Sequence, residues 1–121
     1  MSIWIEEWKQ INNNQIIYNN EISNLKPGYK NKKEEVIQLK LQKALGGNIE
    51  VETSSGFIDL LTDSEIIEIK DGRNWKHAVG QILIYSLDYP NHNKRIHLFN
   101  IINDEHINSK CNIYNIRVTY E

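Results

Sequence analysis

Between Lys32 and Leu45 apolar residues return at helical spacing. Ile37, Leu41, Ala44 and Leu45 form a stripe with lysines between them, and Gly46-Gly47 closes the segment. The pattern then switches to alternation. Ile49-Glu50-Val51-Glu52 reads as a strand, and Ser54-Ser55-Gly56 as a turn. Phe57 to Leu61 and Ile66 to Lys70 read as two more strands, joined by a turn at Thr62-Asp63-Ser64-Glu65. The three strands make an antiparallel meander. Asp71-Gly72-Arg73 predicts a loop, with Asn74 as the N-cap of a second helix from about Trp75 to Tyr89. That helix carries Ala78, Ile82, Tyr85 and Tyr89 on one side, and Pro90-Asn91-His92-Asn93 stops it. Arg95 to Asn100 predicts a fourth strand. A short helix around Asp104 to Cys111 and a last strand, Ile116 to Tyr120, follow.

The order is helix, three-strand meander, helix, strand. It predicts an α/β fold with a mixed central sheet flanked by helices. At 121 residues the chain is read as a single domain, with a core at 32–100, an N-terminal extension at 1–30 and a C-terminal element at 101–121. Within the extension, Trp4, Trp8 and Ile11 fall on one helical stripe, Gln15-Ile16-Ile17-Tyr18 suits a short strand, and Pro27-Gly28 marks a loop. This segment reads first as a packing flap, and otherwise as a contact for a second chain or for DNA.

Composition narrows the class. The apolar share is 40% and the charged share 25%, ordinary for a globular chain. No apolar run is long enough to span a bilayer, so no membrane partner is expected. Glu6 and Glu7 stand where a secretory leader would carry lysines, which predicts an intracellular protein, cytosolic or nuclear. The single cysteine, Cys111, excludes an internal disulfide and reads as a packed or surface thiol. The formal net charge of −2 argues against a broad nucleic-acid grip. The basic residues are clustered, however, at Lys30, Lys32 and Lys33, at Lys40 and Lys43, at Arg73 and Lys76, and at Lys94 and Arg95. Local potential outweighs the total, although each cluster is equally well a solvated face. His97 reads as a packed mid-strand side chain, and His92 and His106 as loop and surface residues. No zinc spacing and no glycine-rich phosphate loop is present.

The strand Ile66-Ile67-Glu68-Ile69-Lys70 carries the chemistry. Alternation sets Glu68 and Lys70 on one face and Ile67 and Ile69 on the other. Asp59 adds a carboxylate from the neighbouring strand. Apolar strands have no folding reason to collect such charges, and a conflict of this kind marks a functional site. Phosphodiester hydrolysis needs a deprotonated water, a held phosphate and an offset for the leaving oxygen, all of which a divalent metal supplies. Mg2+ takes hard oxygen ligands. Asp59, Glu68 and the main-chain carbonyl of Ile69 are the candidate ligands for Mg2+ or Mn2+. Lys70 is placed to serve the attacking water and the phosphate. Glu34, on the same stripe as Ile37 and Leu41, is the helical acid expected to support the site, ahead of Glu35. Its bland reading is a first-turn acid favoured by the helix dipole.

Asp59, then Glu68-Ile69-Lys70, with an acid on the preceding helix, resembles the PD-(D/E)XK or restriction-endonuclease-like nuclease superfamily. Gln81 and Tyr85 on the next helix add a Gln-x-x-x-Tyr spacing that recurs in several of its branches. The resemblance covers residues 32–100 and departs at Ile58, where the usual residue is proline. It implies a restriction-endonuclease-like core and Mg2+- or Mn2+-dependent cleavage of nucleic acid, with Gln81 assisting catalysis. Small resolvases, homing endonucleases and viral nucleases are the members of similar size.

Arg73, Trp75 and Lys76, with Tyr85, are the candidate nucleic-acid contacts, by phosphate neutralisation and base stacking. Trp75 serves equally as a helix-start core residue, and Tyr85 as a core aromatic. DNA is the expected partner, with RNA open, and a homodimer or higher homo-oligomer is expected for so small a domain. The alternative is the same fold without turnover, as a nucleic-acid-binding or interaction module.

Overall fold

The computed structural model describes residues 31–121. The expectations placed on residues 1–30, including the Trp4/Trp8/Ile11 stripe, lie outside them. Helix α1 spans Lys32–Leu45. Strands β1 (Asn48–Thr53), β2 (Gly56–Leu61) and β3 (Glu65–Asp71) follow. Helix α2 (Trp75–Tyr85), strand β4 (Asn93–Phe99), helix α3 (Glu105–Ile113) and strand β5 (Ile116–Tyr120) complete the order.

The five strands lie in one mixed sheet in the order β1-β2-β3-β4-β5. The first three are antiparallel, and β3, β4 and β5 are parallel. Each parallel step needs a crossover, supplied by α2 and then α3. Both helices cover the same face, as two successive right-handed crossovers in one direction require. Ala78, Ile82 and Tyr85 of α2 and Ile107 and Cys111 of α3 pack there against Ile58, Ile66, Ile96, Leu98 and Ile116. Helix α1 covers the other face, where Ile37 and Leu41 meet Leu60, Ile67, Ile69 and Phe99. The result is an α/β fold with a five-stranded mixed sheet between helices.

Several local expectations are corrected. Ala44 and Leu45 are exposed, so the buried stripe of α1 is Ile37, Gln38 and Leu41. Helix α2 stops at Tyr85, and a 3-10 turn at Ser86–Asp88 carries the chain on. Asn74 makes no side-chain cap. The loop before α2 is a 3-10 turn, Gly72–Asn74, capped by the Asp71 carboxylate, which accepts the Arg73 main-chain N–H. Arg95 is buried rather than solvated, held by Glu65 at 3.3 Å and by the Thr119 hydroxyl at 3.0 Å. His97, by contrast, is packed as expected and hydrogen-bonded to Thr119 and Glu121. His106 is exposed as expected, on α3 and edge-on to the ring of Trp75. Cys111 is buried, and burial raises its thiol pKa.

The alternation expected through Glu50 fails in a way that matters. Val51 pairs with Ile58 and Ile49 with Leu60, in one continuous register. Partners two residues apart should share a face. Val51 and Ile58 instead join the α2 side, while Ile49 and Leu60 join the α1 side. The sheet face switches at the two residues between these pairs, Glu50 and Asp59. Glu50 makes the switch with φ of 51°. For a residue with a Cβ that conformation costs about 1–3 kcal/mol and persists only where its surroundings hold it.

Candidate functional site

Strands β2 and β3 pair at Leu61↔Ile66 and Leu60↔Ile67. Continuing the same register would set Asp59 against Glu68. Side chains replace the ladder there. The Ile69 N–H donates to Asp59 Oδ2 at 2.7 Å, and the Asp59 N–H donates to Glu68 Oε2 at 3.2 Å. The two carboxylates wedge between the strands, and each takes over a main-chain donor that the opened ladder would otherwise strand. Asp59 is 4% exposed and Glu68 1%. Burial at that level is rare for acids and requires such donors.

Helix α1 brings Gln38 to this junction. Its Nε2 donates to the Asp59 carbonyl at 2.8 Å and to Glu50 Oε2 at 2.7 Å. Gln38 is 2% exposed. It ties together the two residues at which the sheet face switches, and so holds the strained Glu50 backbone. The sequence reading missed both Gln38 and Glu50. The available signal was a polar residue one position after Ile37 and three before Leu41, inside the buried stripe. Glu34 sits one turn before Gln38 and is half-buried, whereas Glu35 is exposed. The Glu34 N–H is capped by the Asn31 side chain at 2.8 Å.

Ile67 and Ile69 join the α1 cluster, which leaves Glu68 and Lys70 on the α2 side. His77, in the first turns of α2, lies close enough to Lys70 to feel its charge. Burial, and next the positive charge of Lys70, push its imidazole below the ordinary value. Gln81, one turn further along α2, is half-buried, and among the described residues its Oε1 has no hydrogen-bond partner. A pocket of about 380 Å³ opens here, lined by Lys76, His77, Gly80, Gln81, Ile84 and Tyr85 of α2 and by Ser55 of the β1–β2 turn.

The expected nucleic-acid contacts divide. Arg73 is exposed, and its guanidinium is held in a fork by Asp71, Nε to Oδ1 and Nη2 to Oδ2, both at 3.0 Å. Asn100 also donates to Asp71 at 2.9 Å, and these donors hold the Asp71 carboxyl far below the usual carboxylate range. Lys33 donates in turn to Asn100. Lys76 is exposed, and Trp75 is half-buried against the core. Tyr85 is corrected: it is 6% exposed and lies in the core, with its hydroxyl against Gly56, so nearly all of its ring is closed to a stacking base. A Cβ at Gly56 would come within 2.5 Å of that hydroxyl, which requires glycine at this turn.

Among the described residues, no group of three or more His, Cys, Asp or Glu side chains is arranged to hold a metal ion. The donors at the opened ladder are two hard carboxylates. Carboxylate oxygens are hard ligands of the kind Mg2+ takes. Among the same residues no helix is long and apolar enough to cross a membrane.

No family model matches the chain, and no solved structure does. Curated relatives come from Acanthamoeba polyphaga mimivirus. The KilA-N domain-containing protein L32 is 51% identical over 114 residues, covering 93% of this chain and 29% of its own length. Protein R878, of the same description, is 44% identical over 115 residues, covering 93% and 32%. Protein L33, likewise, is 42% identical over 121 residues, covering 98% and 49%. This chain is thus similar to segments of mimivirus KilA-N domain-containing proteins, and spans between about a third and a half of their length.

Proposed function

We propose that the chain is a DNA-binding domain with a restriction-endonuclease-like core, whose Asp59–Glu68 pair serves metal-dependent hydrolysis of phosphodiester bonds. The DNA partner is supported by the relatives, which are named for KilA-N, a DNA-binding domain. The observation that carries the hydrolytic reading is the opening of the β2–β3 ladder at two buried carboxylates, with Lys70 on the adjoining position of β3. A binding surface alone gives no reason to bury two acids, because phosphates repel them and cations attract them.

Asp59, Glu68 and the Ile69 carbonyl would hold Mg2+ or Mn2+. When bound, such an ion lowers the pKa of a coordinated water and offsets charge on the leaving oxygen. The protein side chains do the rest. Gln38 fixes the Asp59 main chain from α1, and the Ile69 N–H fixes its carboxylate. Lys70 holds the scissile phosphate and orients the attacking water. Arg73, aimed by Asp71, and Lys76 neutralise flanking phosphates. Gln81 assists from α2. Two copies acting on two strands would suit a homodimer.

The test is cleavage of a mixed panel of single-stranded, duplex and branched DNA and of RNA, with Mg2+ or Mn2+. Wild type cleaves at least one substrate, and Lys70→Ala lowers the rate by about 100-fold or more. A second reading, the same fold binding DNA without turnover, is favoured by the relatives' names. It predicts tight binding with no cleavage by wild type under any metal.

A further inference from the structure

The sheet ends on one side at β1 and on the other at β5. An edge strand presents unpaired N–H and C=O groups, and native folds blunt such edges with kinks, proline or lysine. Strand β1 is blunted by the turn of its backbone at Glu50. Strand β5 is not. Its residues, Ile116-Arg117-Val118-Thr119-Tyr120, include no proline and no positive φ, and four of the five are types that favour strands. Among the described residues β5 pairs with β4 alone. The Glu121 N–H donates to the Leu98 carbonyl at 2.9 Å. Alternation therefore turns the main-chain groups of Thr119 and Arg117 toward β4, and those of Tyr120, Val118 and Ile116 outward.

We propose that β5 pairs antiparallel with β5 of a second copy of this chain, about a two-fold axis at Thr119, so that the two sheets join into one. The choice of partner rests on charge. Arg117, Thr119 and Glu121 share the α1 side of the strand, where Lys40 of α1 donates to Glu121, and Val118 and Tyr120 share the other side. Pairing about Thr119 sets Arg117 opposite the partner's Glu121, and Val118 opposite the partner's Tyr120. Both are favourable cross-strand pairs. The same register brings the outward groups of Val118 and Tyr120 together as hydrogen-bonded pairs. Pairing about Arg117 would set two guanidinium groups face to face, and pairing about Val118 would leave Arg117 opposite a threonine. The Arg117 side chain is 63% exposed, with Glu65 at 3.8 Å. Glu121 accepts from His97 and Lys40, and a carboxylate has room for a further donor. This rests on the two-copy arrangement of the proposed function and names the surface that makes it. The axis stands perpendicular to the joined sheet, so the α2 faces of both copies lie on one side. The two β2–β3 openings are then roughly 30 Å apart at the usual strand spacing, within reach of one duplex.

The test is size-exclusion chromatography with light scattering of the full chain, beside air oxidation of cysteine variants. Wild type is expected to run as a dimer. Thr119 meets its own copy across the axis in a pair without hydrogen bonds, where Cα atoms stand about 4.5 Å apart, within disulfide range. Thr119→Cys should therefore form a disulfide-linked dimer. Arg117→Cys, whose two copies lie far apart along the strands, should not, and wild type, with Cys111 buried, is the control. Val118→Pro removes one outward N–H from each copy and leaves the β4 ladder intact. It should weaken the dimer about tenfold or more, and it keeps the test decisive if the cysteine variants do not fold. A dimer that Val118→Pro leaves as tight as wild type, or that Arg117→Cys links and Thr119→Cys does not, overturns the β5 interface while the two-copy arrangement stands. A wild type that is monomeric at every concentration overturns both, and leaves DNA binding and hydrolysis untouched. Protection of the Val118 and Tyr120 amides from exchange in that monomer gives the edge to another segment of this chain, and overturns the interface equally.

Discussion

The Ile69 N–H donates to Asp59 Oδ2 at 2.7 Å, across the point where strands β2 and β3 stop pairing. A carboxylate side chain stands in for a main-chain carbonyl, and the two acids of the candidate site are thereby built into the sheet. Their structural and chemical roles can be separated by substitution.

Asp59→Ala strands the buried Ile69 N–H and is expected to cost about 1–3 kcal/mol of stability. Asp59→Asn keeps an amide oxygen for that donor and loses less, while removing the charge a metal needs. Urea denaturation of both variants beside a cleavage assay checks the pair. The asparagine variant should be the more stable of the two, and equally inactive.

Gln38 holds both residues at which the sheet changes face, through bonds of 2.7 and 2.8 Å. Gln38→Ala should lower stability by about 1–3 kcal/mol, since the buried Asp59 carbonyl and the half-buried Glu50 carboxylate both lose a donor. Amide exchange should quicken at the Glu50–Asp59 step before it does elsewhere in the sheet. A loss below about 0.5 kcal/mol, the usual size for a surface change, would remove Gln38 from this role.

How much of this was legible beforehand depends on the kind of signal. The helices, the meander and Asp59, Glu68 and Lys70 follow from period and from charges set in apolar strands, both of which are local. The face switch at Glu50 is not local. Ile49-Glu50-Val51-Glu52 has a regular alternation, and only the opposed demands of α1 and α2 on the two sheet faces turn it. Gln38 was hidden because an amide among lysines reads as surface until its partners, a strand carbonyl and a carboxylate, are known. Tyr85 was open between base contact and core. Burial against Gly56 decides it, and that contact joins residues 29 apart in sequence, by the difference of their numbers.

Asp71 gives a pH dependence with a definite sign. Arg73 and Asn100 hold its carboxyl far below the usual range in the folded chain, whereas the unfolded carboxyl titrates near about 3.9. Its contribution is therefore complete above about pH 4 and is lost as pH falls below that, where the unfolded chain takes up a proton first. Asp71→Asn should be less stable than wild type at pH 7, and the gap should narrow as pH is lowered through 4 to about 2. Thermal melts of both proteins across that range measure it. A gap that widens toward acid would contradict the assignment.

His77 reports on Lys70. Its folded pKa lies below the ordinary value of about 6.5, first through burial and then through the ammonium of Lys70. In Lys70→Ala the imidazole should titrate higher than in wild type yet stay below its unperturbed value, because the larger cause remains. Two-dimensional NMR titration of the ring resonances measures both midpoints. No change on removing Lys70 would place its ammonium away from α2.

The central claim is that Asp59 and Glu68 together hold a hard divalent cation. Mn2+ titration, followed by electron paramagnetic resonance of the free ion, tests it most directly. Wild type should take up one Mn2+ with an affinity that collapses in Asp59→Asn and in Glu68→Gln, both still folded by circular dichroism. Equal uptake by all three proteins, or none by wild type, would contradict it.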